Sequence, residues 1–398
     1  MNRSISLGIF PGSLCLLVLL SGCSGMSSNY GSSMGSGGSS GSSGSMSTPS
    51  VLSQLTTKTT IGSTVDPING DNNPYGLAIA PATSGPITAG DLIVCNFNNK
   101  SGTAGAGTTI EDLAPMANST PKRIAQDPSL AGCDALALGS TDSIWAAAYT
   151  ANDNPIVKPT GTVAMTLATN FSWQQPWGQI FAVPSMSSGI TADPTFYVSQ
   201  AANGSIVAVK ITSSGFVFST IATGFPSTVS SQYGILAPAG LTYDPNTDTL
   251  YIVSSDTNSI VAISKVSTVP ANGITVSTSS GSSGSGSGYG YSMGSSGSMN
   301  LTFSGPAASQ ARVVFAGSPL NYPVSSALLY NGDLVVGNTG DNNMVEINPS
   351  TGAVVGTLQV DSGNAGAIFG IATEGTSLMT QKVFFNDDNT NTVVELSQ

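Results

Sequence analysis

The sequence predicts an all-β fold: a six-bladed β-propeller whose last blade is completed by an N-terminal strand, with seven blades as the alternative. Three observations predict it. Short β-branched and aromatic runs, separated by Gly, Asn, Asp and Ser, recur through most of the chain, and no stretch after the first 22 residues has a helical apolar period. The clearest unit, Pro238 to Lys265, reads as three strands joined by polar turns, and similar units recur at irregular intervals, as in a closed array of small antiparallel sheets. A lone strand-like segment, Thr56 to Gly62, precedes the first full unit and can pair with the last strand, Thr392 to Leu396, so that no sheet edge is left open.

Taken in order, residues 1–22 place Arg3 in a short polar start, then the apolar run Leu14-Cys15-Leu16-Leu17-Val18-Leu19-Leu20, then Ser21-Gly22-Cys23. The run is too short to span a bilayer and has the layout of a signal peptide. Leu20-Ser21-Gly22-Cys23 resembles the bacterial lipobox. The resemblance implies cleavage before Cys23, a thioether lipid on its sulfur and acylation of its new amino group, palmitate being the acyl chain. Several acyl chains would anchor the protein stably to a membrane. Ser24 in place of Asp after the cysteine points to the outer membrane, so the expected address is the bacterial cell envelope. Residues 23–49 are almost only Ser, Gly and Met and read as a flexible tether. The G-x-S-x-G match at Gly37 to Gly41 lies in this low-complexity stretch, with no strand before it or helix after it, and carries no nucleophile elbow.

The propeller is expected from residue 50 to 398. Inner strands open near a small residue at Tyr75–Ile79, Asp134–Leu138, Trp177–Phe181, Ala239–Tyr243, Ser325–Leu329 and Phe369–Ala372. Second strands follow at Asp91–Phe97, Ser143–Tyr149, Thr195–Gln200, Thr249–Ser254, Asp333–Gly337 and Lys382–Asn386. Third strands are clearest at Ser205–Ile211, Ser259–Ser264, Met344–Asn348 and Thr392–Leu396. Outer strands recur at Val163–Ala168, Val217–Ala222, Arg312–Ala316 and Val354–Val360. Residues 277–300 repeat the composition of the tether and read as a disordered surface loop between blades four and five, or as a sticky segment for surface attachment.

These units resemble NHL-type repeats. The resemblance rests on the openings Pro74-Tyr75-Gly76-Leu77, Pro176-Trp177-Gly178 and Pro238-Ala239-Gly240-Leu241, and on the turns at Asp256 to Val261, Asp341 to Val345 and Asp387 to Val393. Blade one resembles that of exported bacterial propellers of this type. The resemblance implies a fold and leaves the function open.

Composition excludes several functions. Charged residues make up 8% of the chain, against roughly 25% in typical soluble domains. Ten basic residues scattered along a chain of net charge −11 do not form a phosphate-binding stripe, so nucleic acid is not expected. With no histidine there is no Ser-His-Asp or Cys-His machinery, no His-ligated zinc or haem, and no His-dependent propeller lyase. Acidification creates no buried imidazolium either, so the domain is expected to tolerate a strongly acidic exterior.

Candidate sites remain. Tyr75, Trp177 and Phe369 share one repeat position at the mouth of the central channel, with Trp173 nearby. They read as a site for a hydrophobic or planar ligand, or as a cap that keeps water out of the channel. Asp256, Asn258, Asp341 and Asn343 read as Asx-type turns between second and third strands, and secondarily as ligand contacts. Asn386-Asp387-Asp388-Asn389 offers clustered oxygen donors for calcium but lacks EF-hand spacing; no other cofactor and no further metal site is expected. Cys95 and Cys133 fall on one face of neighbouring blades and are expected to pair in an oxidising compartment. The expected function is a binding or interaction module for an unknown protein or small molecule. The alternatives are a metal-dependent hydrolase of the lactonase or gluconolactonase type, although no Glu stands on the first inner strand, and a passive surface or matrix component.

Overall fold

Each run of alternating or continuous β-branched residues forms one strand of a four-stranded meander, and six such meanders stand in a ring. The computed structural model describes residues 49–185, 189–230, 234–279 and 300–398. The signal segment, Cys23, the tether and most of the 277–300 insertion lie outside the described residues. Strand β1 (Thr57–Ser63) comes first. Blade one is β2 (Asn72–Ile79), β3 (Leu92–Asn98), β4 (Thr109–Leu113) and β5 (Lys122–Gln126); blade two is β6 (Cys133–Leu138), β7 (Ile144–Ala148), β8 (Pro155–Val157) and β9 (Val163–Thr166). Blade three is β10 (Pro176–Ala182), β11 (Thr195–Gln200), β12 (Ser205–Thr212) and β13 (Gly215–Thr223), followed by a separate hairpin, β14 (Thr228–Ser230) and β15 (Gly234–Leu236). Blade four opens with β16 (Pro238–Asp244), β17 (Thr249–Ser254) and β18 (Ser259–Ser264). After β19 (Ile274–Ser279) and β20 (Asn300–Ser304) it closes with β21 (Ala311–Ala316). Blade five is β22 (Pro323–Leu328), β23 (Leu334–Asn338), β24 (Asn343–Asn348) and β25 (Ala353–Gln359), and blade six is β26 (Ile368–Glu374), β27 (Lys382–Asp387) and β28 (Thr392–Ser397).

The blade count is six. Blade six takes β1 as its fourth strand, running antiparallel to β28 from Thr57 opposite Ser397 to Ser63 opposite Thr392. Joining the two ends of the chain in one sheet closes the ring and removes an open edge. Residues 50–55 dock beforehand on blade five. Buried Glu346 on β24 accepts hydrogen bonds from the Ser50 hydroxyl at 2.6 Å and from the amides of Val51 and Leu52 at 3.0 and 2.8 Å.

The apolar core lies between blades. One cluster fills each of the six wedges, for example Ile93, Cys95 and Ile110 against Leu136 and Ala146, or Tyr197 and Ile206 against Leu241 and Ile252. Second strands are covered on both faces, which is why β11 and β17 are buried at every residue and read as near-continuous apolar runs. Cys95 on β3 and Cys133 at the start of β6 form a disulfide across the first wedge, with Cα atoms 5.9 Å apart.

The insertion departs from the expected loop between blades four and five. It leaves the chain inside blade four, between β18 and β21, and both of its described ends are strands. β19 and β20 pair antiparallel from Thr275–Ser304 to Ser279–Asn300, and β19 runs parallel against the outer edge of β13, making blade three six-stranded. Val276 and Leu301 bury their side chains, and the pairing with β13 covers its last two residues, Ala222 and Thr223. Residues 280–299 of that segment lie outside the described residues.

Candidate functional site

The channel mouth is built by a repeated irregularity. Every inner strand shifts register near its start: between Pro74 and Gly76, Cys133 and Ala135, Pro176 and Gln179, Pro238 and Leu241, Pro323 and Ser325, and Ile368 and Ile371. A β-bulge re-aims the extra side chain, and here the re-aimed residues are Tyr75, Asp134, Trp177, Ala239, Val324 and Phe369. The small residue that follows is needed because inner strands converge at the axis. A Cβ on Gly178 would stand 2.0 Å from the Ala239 carbonyl oxygen, and one on Gly370 would stand 2.6 Å from that of Tyr75. Side chains at the ends of second strands seal this ring. Ser199 accepts from the Gly178 amide and donates to the Ala239 carbonyl, both at 2.8 Å. Asn386 donates to the Tyr75 and Gly76 carbonyls, both at 3.1 Å.

Tyr75, Trp177 and Phe369 meet on the axis as one stack. Phe369 and Phe97 lie on either face of Tyr75, with centroids 3.6 and 4.3 Å away, while Trp177 and Tyr149 complete the group edge-on. Phe97 and Trp177 are buried. The rings close the channel at this end. Burial, followed by the nearby Asp388, raises the Tyr75 phenol well above the ordinary range. Above the stack lies a basin of about 240 Å³ walled by Phe97, Tyr149, Trp177, Ile235, Val324 and Phe369. Phe97 and Tyr149 were absent from the sequence-based candidates. Both sit at second-strand ends, one blade apart, and that position carries the signal. Trp173 does not join the group: it is 1% exposed in the wedge between blades two and three, against Phe171 and Phe218.

Below the stack the channel narrows to a neck of about 90 Å³, lined by Tyr75, Asp134, Trp177, Gln179 and Ser325 among others, and continuous with a wider vestibule of about 460 Å³ on the opposite face. Asp134 is the one carboxylate in that lining. It is 8% exposed, neither carboxylate oxygen has a partner of full hydrogen-bond geometry, and burial, opposed by the nearby amides of Asp134 and Ala135, raises its pKa well above the usual range.

The Asp and Asn turns hold neighbouring blades together. The residue just before the third strand is left-handed Asn in blades four to six, at Asn258, Asn342 and Asn391, with φ of 45°, 55° and 52°. Each side-chain oxygen accepts an amide at or just before the inner strand of the next blade: Tyr322 at 2.6 Å, Ala367 at 3.0 Å and Asn73, within β2, at 2.7 Å. Asn152 does the same for Gln175 between blades two and three. The latch in blade five is Asn342, next to the Asp341–Asn343 turn. Asp341 accepts from the Asn343 amide at 3.1 Å, and Asp256 accepts from the Thr228 hydroxyl at 2.5 Å.

Residues 386–389 point in different directions. Asn386 faces the inner strand of blade one, Asn389 donates to Asp361 and to the Asn364 carbonyl, and Asp387 accepts from the Thr390 amide. Asp388 is pushed up to about 7 by burial and then by Asp387. Among the described residues, no three acidic or cysteine side chains converge in a set that could hold a metal ion.

No protein-family model and no curated protein matches the chain. Solved structures do. A gluconolactonase from Xanthomonas campestris superposes with a TM-score of 0.52 at 10% identity, over 82% of this chain and 86% of that one. A streptogramin B lyase gives 0.48 at 14% identity over 85% and 96%, and a virginiamycin B lyase from Staphylococcus aureus gives 0.46 at 13% over 86% and 85%. The class defined by the ring of six sheets, with the first of these likenesses, is the six-bladed β-propeller. At such identity the likeness extends to the fold alone.

Proposed function

We propose that the protein is a binding or interaction module of the bacterial cell envelope, anchored to the outer membrane through a lipid on Cys23, with the aromatic basin as its working surface. The observation that carries the reading is the basin itself: a concave, ring-walled cavity of about 240 Å³ at the mouth of a channel whose floor the same rings close. Such a surface suits a planar or apolar group, whether of a small molecule or of a protein side chain. Tyr149 is half-buried and lines the basin, so truncating it removes ligand contact with little loss of core.

The test compares proteins captured from envelope extracts by the full chain and by Tyr149→Ala. A partner lost with the variant supports the reading; an identical set of partners overturns the basin as the contact surface and favours a passive surface component. Incorporation of labelled palmitate into the wild type but not into Cys23→Ala checks the anchor. Metal-dependent lactone hydrolysis is the competing reading. The donor set in the channel, one carboxylate with Gln179 and serines, fits it poorly. Turnover of a lactone panel with added calcium or zinc would reverse the choice.

A further inference from the structure

Asp134 stands where the repeat elsewhere puts Tyr75, Trp177, Ala239, Val324 and Phe369. The bulge between Cys133 and Ala135 turns it to the axis as the other bulges turn the rings. It lines the neck, is more than nine-tenths buried, and leaves both oxygens without a partner of full hydrogen-bond geometry. A buried acid left this way carries the full desolvation penalty of its polar atoms unless a group from outside satisfies them.

We propose that the neck is a binding site for a compact organic ammonium group, with Asp134 as its counter-ion and the Trp177 ring beside it. Three features select a cation over other guests. No Lys or Arg lines the neck, so nothing of the protein's own neutralises the carboxylate. Aromatic faces are electron-rich and attract ammonium groups within about 6 Å of the ring, and Trp177 is the ring available for this, because both faces of Tyr75 are covered by Phe97 and Phe369. A cavity of about 90 Å³ has room for roughly three waters at ~30 Å³ each, or for one small ammonium head. The stack closes the basin side, so access is through the vestibule on the opposite face, which shares Leu77, Leu136, Gln179, Leu241, Ser326 and Ile371 with the neck. This inference does not rest on the basin reading, because the two cavities lie on opposite sides of the rings.

Only the ionised acid can pair with a cation, so binding is linked to protonation. The titratable groups acting on Asp134 from the elements packed around it are Tyr75 and Tyr149, and Asp388 acts on the same Tyr75. None is cationic. Affinity therefore rises with pH until Asp134 is ionised.

The experiment titrates the full chain with methylammonium and tetramethylammonium chloride, using the neutral tert-butyl alcohol and sodium chloride as controls, and reads binding by calorimetry and tryptophan fluorescence at pH 6 and pH 8.5. Expected are saturable binding of at least one ammonium probe, none of either control, tighter binding at the higher pH, and a loss of about tenfold or more, one factor of ten being about 1.4 kcal/mol, in Asp134→Asn. That variant removes a buried acid and keeps the shape, so it is expected to fold; a wild-type thermal midpoint checks this. Glu111→Gln, which removes a buried acid outside the channel, is the control and binds as the wild type does. Equal binding by Asp134→Asn, equal binding of the alcohol, or no saturation by any ammonium probe at pH 8.5 overturns the proposal.

Discussion

Replacing Asn342 by alanine tests whether the left-handed Asn latches hold the ring together. Asn342 is 1% exposed and has a φ of 55°. Its oxygen accepts from the Ala367 amide at 3.0 Å, and its nitrogen donates to Asp361 at 3.1 Å and to the Asn364 carbonyl at 2.7 Å. Ala367 is fully buried, so the variant leaves its amide unpaired in the wedge between blades five and six, a loss of roughly 1–3 kcal/mol. Alanine in the left-handed region adds about 1–2 kcal/mol. The sum is roughly 2–5 kcal/mol. Glycine at the same position removes the second contribution and keeps the first, so Asn342→Gly should lie between the wild type and Asn342→Ala. Urea unfolding followed by tryptophan fluorescence, at a common slope for the three proteins, measures both differences. A change under about 0.5 kcal/mol for alanine, within the range of ordinary surface substitutions, would refute the latch. Glycine as damaging as alanine would refute the backbone part of the argument.

Three further outcomes are expected. Gly178→Ala sets a Cβ 2.0 Å from the Ala239 carbonyl, so its thermal midpoint should fall in keeping with at least about 3 kcal/mol of overpacking; an unchanged midpoint would mean the inner strands can separate. The Cys95→Ser, Cys133→Ser double variant reopens a loop of 38 residues and should lose about 4 kcal/mol against urea, whereas equal stability would show that the wedge alone holds blades one and two in place. Burial pushes Glu111 up to about 9, so the folded chain holds a proton there that the unfolded chain releases near pH 4. Its stabilising contribution is complete below that pH and is lost as pH rises toward 9. Asp66 behaves oppositely. Burial would raise it, but the Arg123 guanidinium paired with it outweighs burial and holds it far below the usual range, so its contribution is present above pH 4 and is lost only in stronger acid. The wild type should therefore lose stability between pH 5 and pH 9, on the order of a few kcal/mol, and Glu111→Gln should reduce that slope while leaving the part due to Asp134 and to Asp388, which is pushed up to about 7. Its fold should also survive to about pH 3, with an acid-unfolding midpoint well above that contradicting the expectation.

Much of the architecture was legible because it depends on local pattern. Strand runs such as Thr249–Ser254 and Thr195–Gln200 are covered on both faces, so their residues are apolar or small except for Gln200 at the end, and their ends are marked by turn residues. The glycines after Tyr75, Trp177, Ala239 and Phe369 mark the points where inner strands crowd the axis. The 277–300 segment was misplaced because docking on an edge depends on where β13 ends in space, which Ser, Thr and Gly composition does not encode. Trp173 was grouped with the mouth by its closeness in sequence to Trp177, yet the bulge at Trp177 turns one ring to the axis while Trp173 stays in the wedge.

The sequence by itself determined a ring of small antiparallel sheets closed by its own N-terminal strand, since periodicity, turn residues and the need to cover edges are all written within a few residues of where they act. The tertiary structure alone decided that Phe97 and Tyr149 join the stack and that Asp134 faces the neck without a partner of full hydrogen-bond geometry. It also decided that Asn258, Asn342 and Asn391 fasten one blade to the next. Each of these depends on groups brought together across blades by the shared axis, and side-chain chemistry of that kind is set by distance in space rather than by distance along the chain.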